Sequence, residues 1–312
     1  MFSSRQIKAY FIRFLTRKKT TIFEIKNTRN ILFLRYDRIG DMVITTPVFR
    51  ELKLAYPEIN ISVLASKLNR GVLVNNPYVD KIYTNHKNNL LGDLPTLLKL
   101  RKMKFDVCVE FDHSVIPHAI IRLRIIKPKK VISVFKEGRY GLQGKELEIY
   151  DYYTEKPKNS HFRDIWLNTL NPFNVQPESK KYDLFCTDQQ KKKAINFLLQ
   201  FQNKITIGIN LEGTVKGKRI TPDKLKVICT GLYQANKDVQ IILLSSPKTY
   251  KDVILNRSSE ERLEYYLTNI VTIIKNSKWW ARSAVHLISE LESISVSGDI
   301  CIIYNSQMCV AA

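Results

Sequence analysis

Two short stretches hold the residues whose types and spacing could do chemistry. The first is Arg38, Gly40 and Asp41, inside residues 31–57, ILFLRYDRIGDMVITTPVFRELKLAYP. A carboxylate just past an apolar run has two uses. It can cap the helix that follows, or it can face a cleft and accept a proton from a substrate hydroxyl. The second stretch is residues 211–220, LEGTVKGKRI, with Gly213, Thr214, Lys216, Gly217, Lys218 and Arg219. Glycines let a backbone approach phosphate, threonine donates a hydrogen bond, and lysine neutralises charge. A solvated basic turn uses the same residue types. Neither stretch is a Walker A loop or a three-glycine dinucleotide fingerprint.

Both stretches sit where a strand hands over to a helix. Residues 31–36 are apolar enough for one buried strand, and 37–40 make a tight connection. Asp41 then occupies the expected N-cap, residues 42–55 repeat apolar positions at helical spacing, and Pro57 stops the helix. Residues 205–210, ITIGIN, read as a second buried strand, and Thr221-Pro222 opens a helix through Leu232. Such units place polar groups at the carboxyl edge of a parallel sheet. Further strands are expected over 61–65, 78–83, 105–111, 131–135, 181–186 and 239–244. Helices are expected over 90–103, 115–126, 161–170 and 188–202. This alternation implies α/β architecture with right-handed crossovers. Asp112 and His113 end the 105–111 strand, at the same sheet edge as Asp41. His113 is a candidate acceptor contact, although a histidine at a strand end is more often a surface or capping residue. Residues 136–160 read as irregular. The Asn171-Pro172 and Gln176-Pro177 pairs mark a boundary. It separates a leader (1–30) and an amino-terminal domain (31–172) from a carboxyl-terminal domain (173–312).

Composition narrows the partners. The chain of 312 residues, 44% apolar and 25% charged, is long enough for two ordinary domains. Fifty Lys and Arg against 29 Asp and Glu give a net charge of +21, which favours anionic partners. No nucleic-acid signature accompanies that charge, so nucleic acid is not expected among them. No run of eighteen apolar residues suggests a membrane span, and no secretory signal is visible. Cys108, Cys186, Cys229, Cys301 and Cys309 form no C-x-x-C pair. They read as reduced thiols of a cytoplasmic protein, and no Cys/His cluster has zinc-ligand spacing. In the leader, Ile7, Tyr10, Phe11, Phe14 and Leu15 recur at helical intervals among Arg5, Lys8, Arg13, Arg17, Lys18 and Lys19. That pattern fits a basic amphipathic helix, lying on anionic lipid or packed on the domain.

The segment LRYDRIGDMVITTPVFRELKLAYP, followed by ISVLAS and NNPYVDKIY, resembles the opening of glycosyltransferase family 9. This is the family of the ADP-heptose:lipopolysaccharide heptosyltransferases, and the shared pattern is R-x-x-x-x-GD-x-x-x-x-x-P with a later N-P-x-V-D. The resemblance implies a GT-B fold: two doubly wound Rossmann-like domains facing a cleft, acceptor on the first and nucleotide sugar on the second. It implies a single inverting displacement from ADP-heptose, or another nucleotide sugar, to the lipopolysaccharide core. It implies no metal and no cofactor beyond the donor, and a peripheral place on the anionic inner-membrane surface. Asp41 matches the family's proposed catalytic base, with Arg38 and Gly40 beside it toward the acceptor. Gly213, Thr214 and Lys218 match a small-residue loop whose lysine contacts donor phosphate. His161 and Arg163 match an H-x-R element.

The resemblance weakens toward the carboxyl end. A family glutamate after the 239–244 strand has no counterpart in SSPKTYKD. Of the family's P-D-T-S-x-x-H-x-A motif, Asp299 is matched as a donor-site residue. Gly298, Ile300 and Tyr304 stand where Pro, Thr and His are expected. The chain stops at Ala312, about a strand and a helix short of the family pattern. The alternative is therefore a member that binds nucleotide or lipopolysaccharide without turnover. A basic nucleic-acid-binding protein is a third class, carried by the charge alone.

Overall fold

The structure, a computed structural model, describes residues 4–17, 28–86, 89–136, 142, 146–199, 201, 205–210, 221–244, 271–274 and 301–303. The chain divides into two compact units, Met1–Phe185 and Cys186–Ala312.

The first unit is a six-stranded sheet with helices on both faces. Its strands are β1 (Asn30–Arg35), β2 (Asn60–Ser66), β3 (Lys81–Asn85), β4 (Val107–Glu110), β5 (Lys130–Val134) and β6 (Tyr152–Thr154). They lie in the order β3-β2-β1-β4-β5-β6, and every pairing is parallel. The helices are α1 (Ser4–Thr16), α2 (Ile39–Ala55), α3 (Leu90–Lys102), α4 (Pro117–Ile126) and α5 (Phe162–Leu167). Strand β1 shows why the sheet needs two helical layers. Ile31 to Arg35 are all buried, so successive side chains enter opposite cores. Ile31 and Phe33 pack with Phe49 and Leu52 of α2 and Trp166 of α5. Leu32 and Leu34 pack with Leu97 and Leu100 of α3, Ile120 and Leu123 of α4, and Ile12 of α1. Phe33 meets Phe49 edge-on at 4.9 Å and lies nearly parallel to Phe111 at 6.1 Å. Each such aromatic contributes about 1.5–3 kcal/mol by burial.

Helix α2 carries Pro47 in its interior. A proline there has no N–H for the carbonyl four residues back. The Thr46 hydroxyl donates to that carbonyl, Val43 O, at 2.8 Å, and the Thr45 hydroxyl donates to Asp41 O at 2.7 Å. Thr46 thus supplies the donor that Pro47 lacks.

Several expectations shift in detail. Strand β3 begins at Lys81 rather than at residue 78, because Asn76 forms a turn that accepts from Tyr78 N and Val79 N. Helix α5 ends at Leu167 and tightens into a 3-10 turn, Asn168–Phe173, around Pro172. Strand β6 lies within the stretch expected to be irregular. No strand forms over residues 181–186. Instead Arg50 of α2 captures this stretch. Its guanidinium donates to Lys181 O at 2.9 Å and Ser179 O at 2.7 Å, and pairs with Asp183. Glu51 accepts from Glu178 N at 2.8 Å. These bonds fasten residues 178–183 to α2, so the first unit runs past the expected boundary at residue 172 to Phe185.

Among its described residues the second unit has four parallel strands: β7 (Ile205–Asn210), β8 (Val239–Leu244), β9 (Val271–Ile274) and β10 (Cys301–Ile303). Their order is β10-β7-β8-β9. Helix α7 (Pro222–Ala235) covers one face through Leu225, against Ile207, Ile209, Ile241 and Leu243. Helix α6 (Asp188–Leu199) covers the other through Ala194, against Ile242. Thr221 caps α7, accepting from Lys224 N at 3.4 Å, with Pro222 in the first turn as expected. Among the described residues, no helix is long and apolar enough to cross a membrane.

Candidate functional site

In the first sheet the strand order reverses direction at β1, with β2 on one side and β4 on the other. Ligands of open parallel sheets bind in the crevice at such a reversal, outside the carboxyl ends of the strands. The chain emerging from β1 supplies Arg35 to Asp41, and the chain emerging from β4 supplies Asp112 and His113.

Helix α2 starts three residues earlier than expected, at Ile39, so Arg38 and not Asp41 is its N-cap; Arg38 makes no side-chain cap bond. Asp41 sits in the first turn, where the positive end of the helix dipole favours a carboxylate. Its side chain remains 35% exposed, open enough to meet a substrate hydroxyl. Arg38 and Gly40 are exposed beside it. A Cβ built on Gly40 would meet nothing within 4 Å.

Asp41 is held from beneath by Arg35, a cation at the end of β1 with only 3% of its side chain exposed. Arg35 Nη2 lies 3.6 Å from Asp41 Oδ1, and Nη1 lies 3.3 Å from Asp37 Oδ2. Arg35 Nε donates to Asp41 O at 3.3 Å. The guanidinium lies 4.2 Å from the ring centre of Trp166 and 5.6 Å from that of Phe111. A flat, weakly hydrated cation can be buried this way because the aromatic face and two carboxylates replace its water.

Trp166 continues the chain of contacts. Its Nε1–H donates to His113 Nε2 at 3.3 Å, and the two rings lie 27° from parallel with centres 6.1 Å apart. Indole can only donate, so His113 Nε2 must accept, and the ring proton resides on Nδ1. Asp41, Arg35, Trp166 and His113 are thus one connected set. Sequence reasoning found its two ends and missed the middle. The available signal was Arg35 itself, a charge inside the apolar run ILFLRY. His161 has a structural duty instead: its Nδ1 accepts from Arg163 N at 3.1 Å and caps α5.

A second polar group lies deeper at the same edge. Glu110, fully buried at the end of β4, pairs with Lys136 and accepts from the Ser133 hydroxyl at 2.9 Å. It also accepts from Asp112 N at 2.6 Å. Lys136 reaches the Asp112 carbonyl as well. Burial first, and then the Glu110 charge, push the Asp112 carboxyl up to about 7. Tyr36 donates its hydroxyl to Asp112 Oδ2 at 3.4 Å, and burial holds that phenol well above its usual range. Arg122, stacked 4.9 Å from the Tyr36 ring, pairs with buried Asp93 at 3.0 Å.

Among the described residues no group of three His, Cys, Asp or Glu side chains is placed to hold a metal. The expected donor-site residues Gly213, Thr214, Lys218 and Asp299 lie outside the described residues, as do Gly298, Ile300 and Tyr304. The strand and helix that flank the Lys218 loop, β7 and α7, form as expected.

No family model matches the chain. One curated protein, lipopolysaccharide heptosyltransferase 1 of Campylobacter coli, is 20% identical over 253 residues, covering 75% of this chain and 71% of that protein. A glycosyltransferase family 9 structure from Veillonella parvula superposes with a TM-score of 0.63 at 15% identity, over 88% of this chain and 80% of that one. An E. coli heptosyltransferase, WaaC, solved with ADP, superposes with a TM-score of 0.59 at 13% identity, over 88% and 87%. The fold is that of these GT-B glycosyltransferases.

Proposed function

We propose that this chain, whose sequence likeness and fold are those of the family 9 heptosyltransferases, is a glycosyltransferase acting on the lipopolysaccharide core. The reading carries further, to an ADP-linked heptose as donor, since the WaaC structure that shares this fold was solved with ADP. Asp41 accepts the proton of the acceptor hydroxyl. The acceptor oxygen attacks the anomeric carbon from the face opposite the diphosphate, so the configuration inverts. The bond from that carbon to the diphosphate oxygen breaks, and ADP departs with its electron pair. Thr214 and Lys218 receive the charge that develops on the departing phosphate, in place of a metal.

One observation supports this reading above the others. Asp41 is a half-buried carboxylate at the reversal of a parallel sheet, oriented by a buried arginine that is itself clamped on Trp166. A helix cap would need none of that support. Arg38 and Gly40, exposed next to Asp41, belong to the acceptor side, and His113 shapes its wall through Trp166.

The test incubates the purified chain with ADP-heptose and core lipopolysaccharide lacking the heptose, in the presence of EDTA, and weighs the product. A mass gain of one heptose supports the reading. Transfer from UDP-glucose or another hexose donor keeps the mechanism and changes the sugar. A second reading, binding without turnover, is favoured by Gly298, Ile300 and Tyr304 at the altered motif. It predicts that ADP-heptose raises the melting temperature while no product forms.

A further inference from the structure

Helix α1 has two apolar faces, and among the described residues only one of them packs on the fold. Ile12 and Thr16 are each 1% exposed, and Ala9 and Leu15 pack beside Ile12 against the core that α4 also covers. Arg13 Nη2 pairs with Glu146 Oε1 at 2.8 Å, and the Thr16 hydroxyl closes the last turn on Arg13 O at 3.0 Å. The helix is therefore fixed to the body of the first unit. On its other side Ile7, Tyr10, Phe11 and Phe14 are 60%, 74%, 53% and 59% exposed. Their spacing of i, i+3, i+4 and i+7 gathers them into one outward stripe. Four large apolar side chains on one exposed stripe, three of them aromatic, are not needed by the core and lower solubility, so they call for an occupant.

We infer that this stripe is a docking surface for a lipid bilayer rich in anionic headgroups. Charge decides among the candidate occupants. On a helical wheel Lys8 flanks the stripe on one side and Arg17 on the other, next to Arg13, whose charge is already paired with Glu146, and Lys18 and Lys19 follow in the sequence. Cations beside an apolar stripe match a bilayer surface, where phosphates lie above the acyl boundary. Phenyl and phenol rings suit that boundary, apolar in the body and, for Tyr10, polar at the tip. A second copy of the chain fits poorly. Each copy carries +21, and four side chains offer far less than the roughly 800 Å² per partner that a stable dimer buries. The inference goes beyond the transfer reaction: α1 would bring the acceptor-side unit to the membrane and take no part in chemistry.

The test uses the full chain, sedimented with vesicles of phosphatidylcholine alone or of phosphatidylcholine rich in phosphatidylglycerol. The comparison variant is Tyr10→Ser/Phe11→Ser/Phe14→Ser, whose substituted positions are exposed and whose melting temperature should match the parent. The expected result is salt-sensitive binding to the anionic vesicles, weakened about tenfold or more in the variant, with little binding to phosphatidylcholine. Equal binding by parent and variant would overturn the proposal, since charge alone would then explain it. So would absence of binding, equal binding to both vesicle types, or a dimer of the parent that the variant abolishes. Transfer to a detergent-solubilised acceptor should be the same for both chains, so failure here is separable from failure of the catalytic reading.

Discussion

Replacing Arg35 with glutamine removes the buried cation that orients Asp41 while leaving Asp41 in place. The contacts set the magnitude. At 4.2 Å from the Trp166 ring centre and 3% exposed, the stacked guanidinium contributes about 2 kcal/mol. Its ion pairs with Asp37 and Asp41 join it to carboxylates that are 28% and 35% exposed, so water recovers much of their loss and each contributes roughly 0.5–1 kcal/mol. The charged hydrogen bond to Asp41 O is long, 3.3 Å, and adds about 1 kcal/mol. Relief from burying a cation offsets part of the total, leaving a net destabilisation of about 2–3 kcal/mol. For a unit of this size that is a melting-temperature loss of roughly 5–10 °C. Arg35→Lys keeps the charge, but not the flat fork, and should fall between parent and glutamine variant. Urea unfolding followed by circular dichroism measures the stability term. Turnover at saturating donor and acceptor measures the orientation term, where kcat should fall by about tenfold to a hundredfold with little change in KM. An Arg35→Gln chain within about 0.5 kcal/mol of the parent and with unchanged kcat would refute the reasoning.

Other perturbations separate the remaining parts of the site. Lys136→Met strands the fully buried Glu110 carboxylate and should cost about 3–5 kcal/mol in urea unfolding, with Glu110→Gln/Lys136→Met recovering much of it. The Asp112 carboxyl, raised from 3.8 to about 7 in the fold, keeps a proton that the unfolded chain releases. The Asp112 contribution to stability is therefore fully present at and below about pH 4, should fall by no more than about 4 kcal/mol as pH climbs toward about 7, and level off above. Asp112→Asn should flatten that interval in unfolding measured at a series of pH values. Gly40→Ala meets no atom within 4 Å and adds a better helix former, so stability should hold or rise by up to about 1 kcal/mol. If the acceptor passes close over the backbone there, acceptor KM rises in steady-state assays while donor KM stays.

The parts legible in the sequence were those set by local rules. Strand β1, helix α2 and the strand–loop–helix unit of β7 and α7 follow from apolar runs, periodicity and proline placement. Asp41 was visible because a motif marks it. The start of α2 was misplaced because Arg38 takes the N-cap position without a capping bond, which no side-chain preference signals. The stretch 181–186 looked like a strand by composition, yet Arg50 claims the Lys181 carbonyl from 131 residues away and the Asp183 carboxylate beside it. The same distance problem hid the Arg35–Trp166–His113 relay: its members come from β1, α5 and the end of β4, and only the sheet order brings them together. The leader's apolar positions were legible as one amphipathic pattern, but only packing divides them into Ile12, turned inward, and Tyr10 and Phe14, turned out.

The most direct test of the account is transfer by the Asp41→Asn chain. Asparagine keeps the size of the side chain and its place in the first turn of α2, but cannot accept the acceptor's proton. The account predicts that ADP-heptose still raises the melting temperature of this variant as it does the parent's, while heptose transfer falls by about a hundredfold or more. Transfer at the parent rate by a folded Asp41→Asn chain would contradict it, and would return Asp41 to a purely structural role.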